Sequence, residues 1–188
     1  MKQILILICA AILAACHAGS SAQHMHGTHA SGAAQPADTA KGSPHRVAMA
    51  DIGSAHVHIE YNAPAVRGRI IWGGLVPYGE PWVTGAHHAT SIMFSAPVQI
   101  AGARIRAGTY AFFTIPGRES WVLILNKNWR QHLTDEYDAA DDVLRWTVQP
   151  EPHAHTERLT YSVVPQSANT GMVTIDWDTL RIRFEIIR

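Results

Sequence analysis

Short segments in which apolar residues recur at every second position, the period of a half-buried β-strand, follow one another from residue 45 onward. Over residues 55–61, Ala55, Val57 and Ile59 fall on one face and His56, His58 and Glu60 on the other. Residues 90–95 place Ile92 and Phe94 on a common face. Residues 98–100 and 104–105 flank Ala101-Gly102, a predicted hairpin turn. Residues 109–115 and 121–126 flank Pro116-Gly117, and a type II turn there would require positive φ at the glycine. Residues 121–125 are apolar on both faces, as expected for a central strand covered on each side. Residues 126–142 are polar and predict a long loop or a single helical turn. Four further strands are predicted over 143–148, 159–164, 172–177 and 180–187. In the last, Leu180, Ile182, Phe184 and Ile186 face inward while Arg181, Arg183 and Glu185 face out. About nine or ten short strands with no long helix predict an all-β antiparallel β-sandwich, or a jelly-roll variant of one.

The first 44 residues do not share this pattern. Lys2 precedes an apolar run, residues 4–13, that is too short to span a bilayer and has the anatomy of an export signal. Leu13-Ala14-Ala15-Cys16 resembles a lipobox. Residues 1–15 are therefore expected to be a lipoprotein signal peptide, and Cys16 the acylated anchor that ties the protein to a membrane. His17 follows it, not the aspartate that retains such proteins at the inner membrane, so the outer membrane of the cell envelope is the expected location. Cys9 would leave with the signal, and a folded domain without thiols can hold neither a disulfide nor a cysteine nucleophile. Residues 16–44 are rich in Ala, Gly, Ser, Thr and His and are expected to form a flexible tether. Within it, His24-Met25-His26-Gly27-Thr28-His29 offers donors for copper or zinc, although a polar linker that contains histidine is the plainer reading. The folded domain is then 45–188. A formal net charge of zero and a pI of about 7.2 argue against a nucleic-acid partner. Twelve histidines make imidazole the side chain to follow for chemistry.

Residues 60–90 concentrate the unusual chemistry. Arg67 and Arg69 provide planar forks for carboxylate or phosphate. Trp72, Tyr78 and Trp82 provide flat faces on a glycine-rich loop, beside His87 and His88. Together they predict a shallow site for a saccharide, a peptide or an anionic small molecule. The competing expectation is that the aromatics plug an open end of the sandwich and the arginines pair with neighbouring carboxylates. A second candidate is a metal site. His56 and His58 share a strand face with Cβ atoms roughly 7 Å apart, and His87, His88 or Glu60 could complete a zinc or copper shell. Against it stands an exposed polar face of an edge strand. His153 and His155 follow two prolines and are expected on a loop. A third reading is a structural module of an envelope complex. The nucleophile elbow, zinc-protease and nucleotide-loop motifs are all absent, so no catalytic residue is assigned.

The chain also resembles a known family. The residues that carry the resemblance begin with Tyr61-Asn62-Ala63-Pro64, Val66-Arg67-Gly68-Arg69, Trp72-Gly73, Leu75-Val76-Pro77-Tyr78-Gly79, Trp82, Thr84-Gly85-Ala86 and Ala89-Thr90. They continue in Ala107-Gly108-Thr109-Tyr110, Thr114-Ile115-Pro116-Gly117, Trp121, Leu125-Asn126-Lys127 and Asp142-Val143-Leu144-Arg145. These are similar to the bacterial DUF2911 family over about residues 43–187. The resemblance implies an exported, often lipid-anchored domain with no established activity, and it transfers no catalytic residue. One departure is His87, where the family usually has asparagine. For the anchor, Cys16→Ser is expected to abolish incorporation of a labelled fatty acid and to move the protein from the membrane fraction to the soluble one; undiminished labelling of the variant would refute acylation at Cys16.

Overall fold

The computed structural model describes residues 41–188. The predicted signal peptide, Cys16, His17 and the His24–His29 tether motif lie outside the described residues. The described part is an antiparallel two-sheet sandwich with ten strands. They are β1 (His45–Ile52), β2 (Ala55–Asn62), β3 (Thr90–Phe94), β4 (Val98–Ile100), β5 (Ala103–Ile105), β6 (Gly108–Ile115), β7 (Trp121–Asn126), β8 (Asp142–Val148), β9 (Glu151–Pro165) and β10 (Thr170–Ile187). One sheet has the order β1-β2-β3-β6-β7-β8 and the other β5-β4-β10-β9. The single 3-10 turn among the described residues, Ala139–Asp141, is capped by the Asp138 carboxylate, which accepts from the Ala140 amide.

Strand β2 buries Ala55, Val57, Ile59 and Tyr61 and turns His56, His58, Glu60 and Asn62 outward. Strand β7 is central and covered on both faces. Trp121, Leu123 and Leu125 enter the main core, whereas Ile124 joins a second cluster with Val83, Ala89, Ala111 and Phe113. The β4–β5 turn holds φ 49° at Ala101 and 81° at Gly102, the double positive-φ signature of a type I′ hairpin.

Four features depart from the sequence pattern. Gly117 does not take a positive φ, and five residues rather than a two-residue type II turn join β6 to β7. Glycine is needed there for space, because a Cβ would overlap the Ser120 carbonyl oxygen. Strand β10 continues through what reads as two strands, absorbing Asp178 (φ 53°) in a bulge where the register to β9 shifts. Strand β9 begins at Glu151, so His153 and His155 lie in a strand and not on a loop. Pro152 is tolerated because β9 is an edge of its sheet. Strand β1 escapes the alternation pattern because Val47 and Met49, on its outward face, are apolar.

The sheets are tied together by two tyrosines. Tyr61 on β2 and Tyr161 on β9 have ring centroids 4.5 Å apart. The Tyr161 amide donates to the Tyr61 hydroxyl at 3.2 Å, and the Tyr161 hydroxyl donates to the Thr84 carbonyl at 2.8 Å. Burial raises both hydroxyls above the ordinary value of 10.0, Tyr161 the more strongly. An unfolded tyrosine ionises near pH 10 while these two stay protonated in the fold. The unfolded chain therefore binds fewer protons, and stability is full below pH 10 and falls as pH rises above it. Denaturation curves at pH 8 to 11 are expected to show this decline, and Tyr161→Phe to flatten it while lowering stability at pH 8. An equal decline in Tyr161→Phe would remove Tyr161 as its source.

Candidate functional site

The segment between β2 and β3 divides into two halves with different surroundings. Its first half turns into the sandwich. Arg69 donates from Nε to the Val66 carbonyl at 3.1 Å and from Nη2 to the Ala65 carbonyl, so its guanidinium closes its own turn. Arg67 holds φ 49°, and its amide donates to Glu157 Oε1 at 2.9 Å while its Nη2 donates to the Gly42 carbonyl. Trp72 and Trp82 meet Trp121 and Trp177 in a four-indole cluster, with centroids 4.8 Å apart for Trp72–Trp121 and 5.6 Å for the stacked Trp82–Trp177 pair. Tyr78 lies under the Arg118 guanidinium at 4.8 Å and presses on Gly73. These aromatics plug the end of the sandwich and do not form an open platform.

The indole cluster carries a cost. Nε1 of Trp72, Trp121 and Trp177 is buried without a hydrogen-bond partner among the described residues, whereas Trp82 Nε1 donates to the Gly85 carbonyl at 3.1 Å. Burying roughly 200 Å² of indole contributes about 5 kcal/mol at ~25 cal/mol/Å². An unmade hydrogen bond costs about 1–3 kcal/mol, so burial wins.

The second half of the segment turns outward and forms a cleft. Trp82 pairs with Thr114 through two backbone bonds of 2.8 and 3.0 Å, on the same strand β6 that Thr90 of β3 joins at Phe112. The polar segment after β7 then lies against it. Ala89 donates to the Gln131 carbonyl at 3.0 Å and Leu133 to the His87 carbonyl at 2.6 Å, bringing the His88 and His132 rings edge to face at 5.9 Å. The root of this roof is buried Asn126. Its Nδ2 donates to the Asp138 carbonyl and to Asp142 Oδ1, and its Oδ1 accepts from the Asn128 amide at 2.9 Å. Asp142 is itself held by Arg145 (2.6 Å) and by the Tyr137 hydroxyl (2.9 Å). Between roof and sheet lies a cleft of about 400 Å³, lined in part by His45, Glu60, His88, Trp129, Arg130 and Gln131.

The cleft is mixed in charge. Glu60 holds His58 Nε2 at 3.1 Å with one oxygen and His45 Nε2 at 3.5 Å with the other. Arg130 stacks over the half-exposed Trp129 at 4.5 Å. Gln131 is only 3 % exposed; its Nε2 donates to the Asn128 carbonyl, and its Oε1 has no partner among the described residues.

Of the residues singled out in the sequence, Glu60 and His88 line this cleft; Arg67, Arg69, Trp72, Tyr78 and Trp82 do not. His56 and His58 share the outer face of β2 with ring centroids 6.0 Å apart. His87 does not join them. His56 pairs with Ser95, whereas His87 precedes Thr90 at the other end of β3, about 17 Å away by strand rise. Among the described residues no three His, Cys, Asp or Glu side chains are grouped to hold a metal ion. His45, Asn62, Trp129, Arg130 and Gln131 were not picked out, although a tryptophan within the polar stretch 126–142 was the available signal.

The indole accounting predicts an order of substitution costs. Trp72→Phe removes an unpaired donor, whereas Trp82→Phe leaves the Gly85 carbonyl without its indole donor. Urea denaturation is expected to show Trp82→Phe as the more destabilising by about 1 kcal/mol; equal or reversed costs would refute the assignment of donors.

No curated protein and no solved structure matches the chain. The model of one family, described as a protein of unknown function (DUF2911), matches residues 43–186. That match spans nearly the whole sandwich and most of the sequence, and the chain belongs to the DUF2911 family.

Proposed function

We propose that this chain is an exported, lipid-anchored binding module of the cell envelope, and that its ligand is a saccharide held in the cleft under residues 127–133. The observation that carries the reading is a cleft of about 400 Å³ in which the exposed Trp129 stands beside polar side chains of both donor and acceptor kind. The remaining lining supports the same class. Glu60, Asn62, Ser91 and the imidazoles of His45 and His88 supply donors and acceptors together, as sugar hydroxyls require. Trp129, 37 % exposed, supplies a flat face for a pyranose ring. An anion fits less well, because Glu60 faces the same space and already engages two histidines. The loop around Arg67 and Arg69 acts in this reading as the scaffold behind the cleft. The export and anchoring part rests on Leu13-Ala14-Ala15-Cys16.

A glycan array followed by calorimetry on the best neutral oligosaccharide tests the reading. Trp129→Ala and Glu60→Ala are each expected to weaken binding at least tenfold. Arg69→Ala is expected to lower the thermal midpoint and leave affinity unchanged. An oligosaccharide that binds Trp129→Ala and Glu60→Ala as tightly as the unaltered protein would exclude this cleft.

A further inference from the structure

Strand pairing assembles a set of soft donors on the outer face of the six-stranded sheet. His58 on β2 stands directly opposite Met49 on β1 and directly opposite Met93 on β3. Directly opposed residues have Cβ atoms about 4.5–5.5 Å apart, so one imidazole is flanked by two thioethers in a single row. His56 lies one pair further along the same face.

Both imidazoles are held in a way that leaves one nitrogen for a ligand. His58 Nε2 engages Glu60 at 3.1 Å, and Nδ1 has no hydrogen bond among the described residues. His56 Nδ1 engages Asp51 at 2.7 Å, and Nε2 has none. A carboxylate on the far nitrogen fixes the tautomer and raises the basicity of the near one, which is the usual outer support of a metal-bound histidine. A nitrogen bound at ~2.0–2.1 Å places an ion roughly 3.2 Å from the ring centroid. Two rings with centroids 6.0 Å apart can therefore share one ion.

Packing does not account for Met49. Met49 is 60 % exposed, so its side chain gains little from burial, yet it stands on an edge strand where apolar residues invite aggregation. Thioether sulfur is a soft donor that selects Cu(I) over zinc. We infer that Met49, His58 and Met93, with His56 as a fourth donor, form a Cu(I) site on the outer face of β1, β2 and β3. The site adjoins the cleft and shares Glu60 with it, which braces His58 and also lines the cleft.

The test uses the full chain with the cysteine, histidine and methionine donors of residues 9–29 replaced: Cys9→Ser, Cys16→Ser, His17→Ala, His24→Ala, Met25→Leu, His26→Ala and His29→Ala. Cu(I) is supplied anaerobically in competition with bicinchoninate. The chain is expected to retain one equivalent, with copper–sulfur scattering in X-ray absorption and shifts of the Met49 and Met93 methyl resonances. Met49→Leu with Met93→Leu, which preserves size and apolarity, is expected to weaken retention at least 100-fold, and Glu60→Gln about 10–100-fold. Zn(II) is expected not to be retained. Failure of the folded chain to retain copper, as judged by circular dichroism, would overturn the site. So would retention that is unaffected by the double leucine variant, or zinc retention that depends on His58 and not on the methionines.

Discussion

The carbonyl oxygen of Thr84 is the point from which both ends of the β2–β3 segment are set. It accepts from the Tyr161 hydroxyl at 2.8 Å and from Thr90 Oγ1 at 3.0 Å, while Thr84 Oγ1 donates to Thr114 Oγ1 at 3.0 Å. Thr84 is fully buried and holds φ 49°, a conformation that disfavours a β-branched residue by about 1–3 kcal/mol. The strain persists because abandoning it would leave two buried hydroxyls and a buried carbonyl unpaired, at about 1–3 kcal/mol each. Three partners on three strands thus fix one residue of a long connection. The chain before it is held against the sandwich, and the chain after it is directed outward along β3.

This division explains why one connection serves two purposes. Before Thr84, Trp72 and Trp82 enter the indole cluster, where apolar burial outweighs the unpaired N–H groups. After it, His87 and Ala89 meet the segment following β7 through two backbone hydrogen bonds. That segment has no strand of its own, and Asn126 replaces a ladder with three side-chain hydrogen bonds. Asn126, Asp142 and Arg145 are among the residues that carry the family resemblance. Here they form the knot that supports the roof of the cleft, which gives those residues a structural reason.

The sandwich was legible wherever a strand has one wet face, because burial then writes period-two alternation into the sequence. Strand β2 and the end of β10 are such cases. Strand β1 was not legible, since Met49 and Val47 face solvent. Nor was the length of β9 and β10, because Pro152 and the bulge at Asp178 read as breaks. The binding region was legible only in part. Arginine and tryptophan announce binding chemistry locally, but whether they face solvent depends on what covers them, and Trp72 and Arg69 prove to be inward or self-paired. The cleft and the methionine row are non-local. Gln131 reaches the cleft through pairing with Ala89, and Met49 reaches His58 through strand register; neither leaves a local periodic signal.

The outer face of β1 and β2 is where composition departs furthest from what stability requires. An exposed edge strand is ordinarily protected by charge, proline or a bulge. Strand β1 carries Arg46 and Asp51 near its ends but Val47 and Met49 between them. Its partner β2 presents His56, His58 and Glu60, and each imidazole is braced by a carboxylate. A solvated face needs no such bracing, because surface ion pairs contribute about 0–1 kcal/mol and cost side-chain freedom. Braced imidazoles beside an exposed thioether are instead what a coordinating surface requires. On that ground the face is set by a ligand, while the core behind it, Ile52, Val57, Ile59 and Ile92, supplies a rigid support that keeps the donors in register.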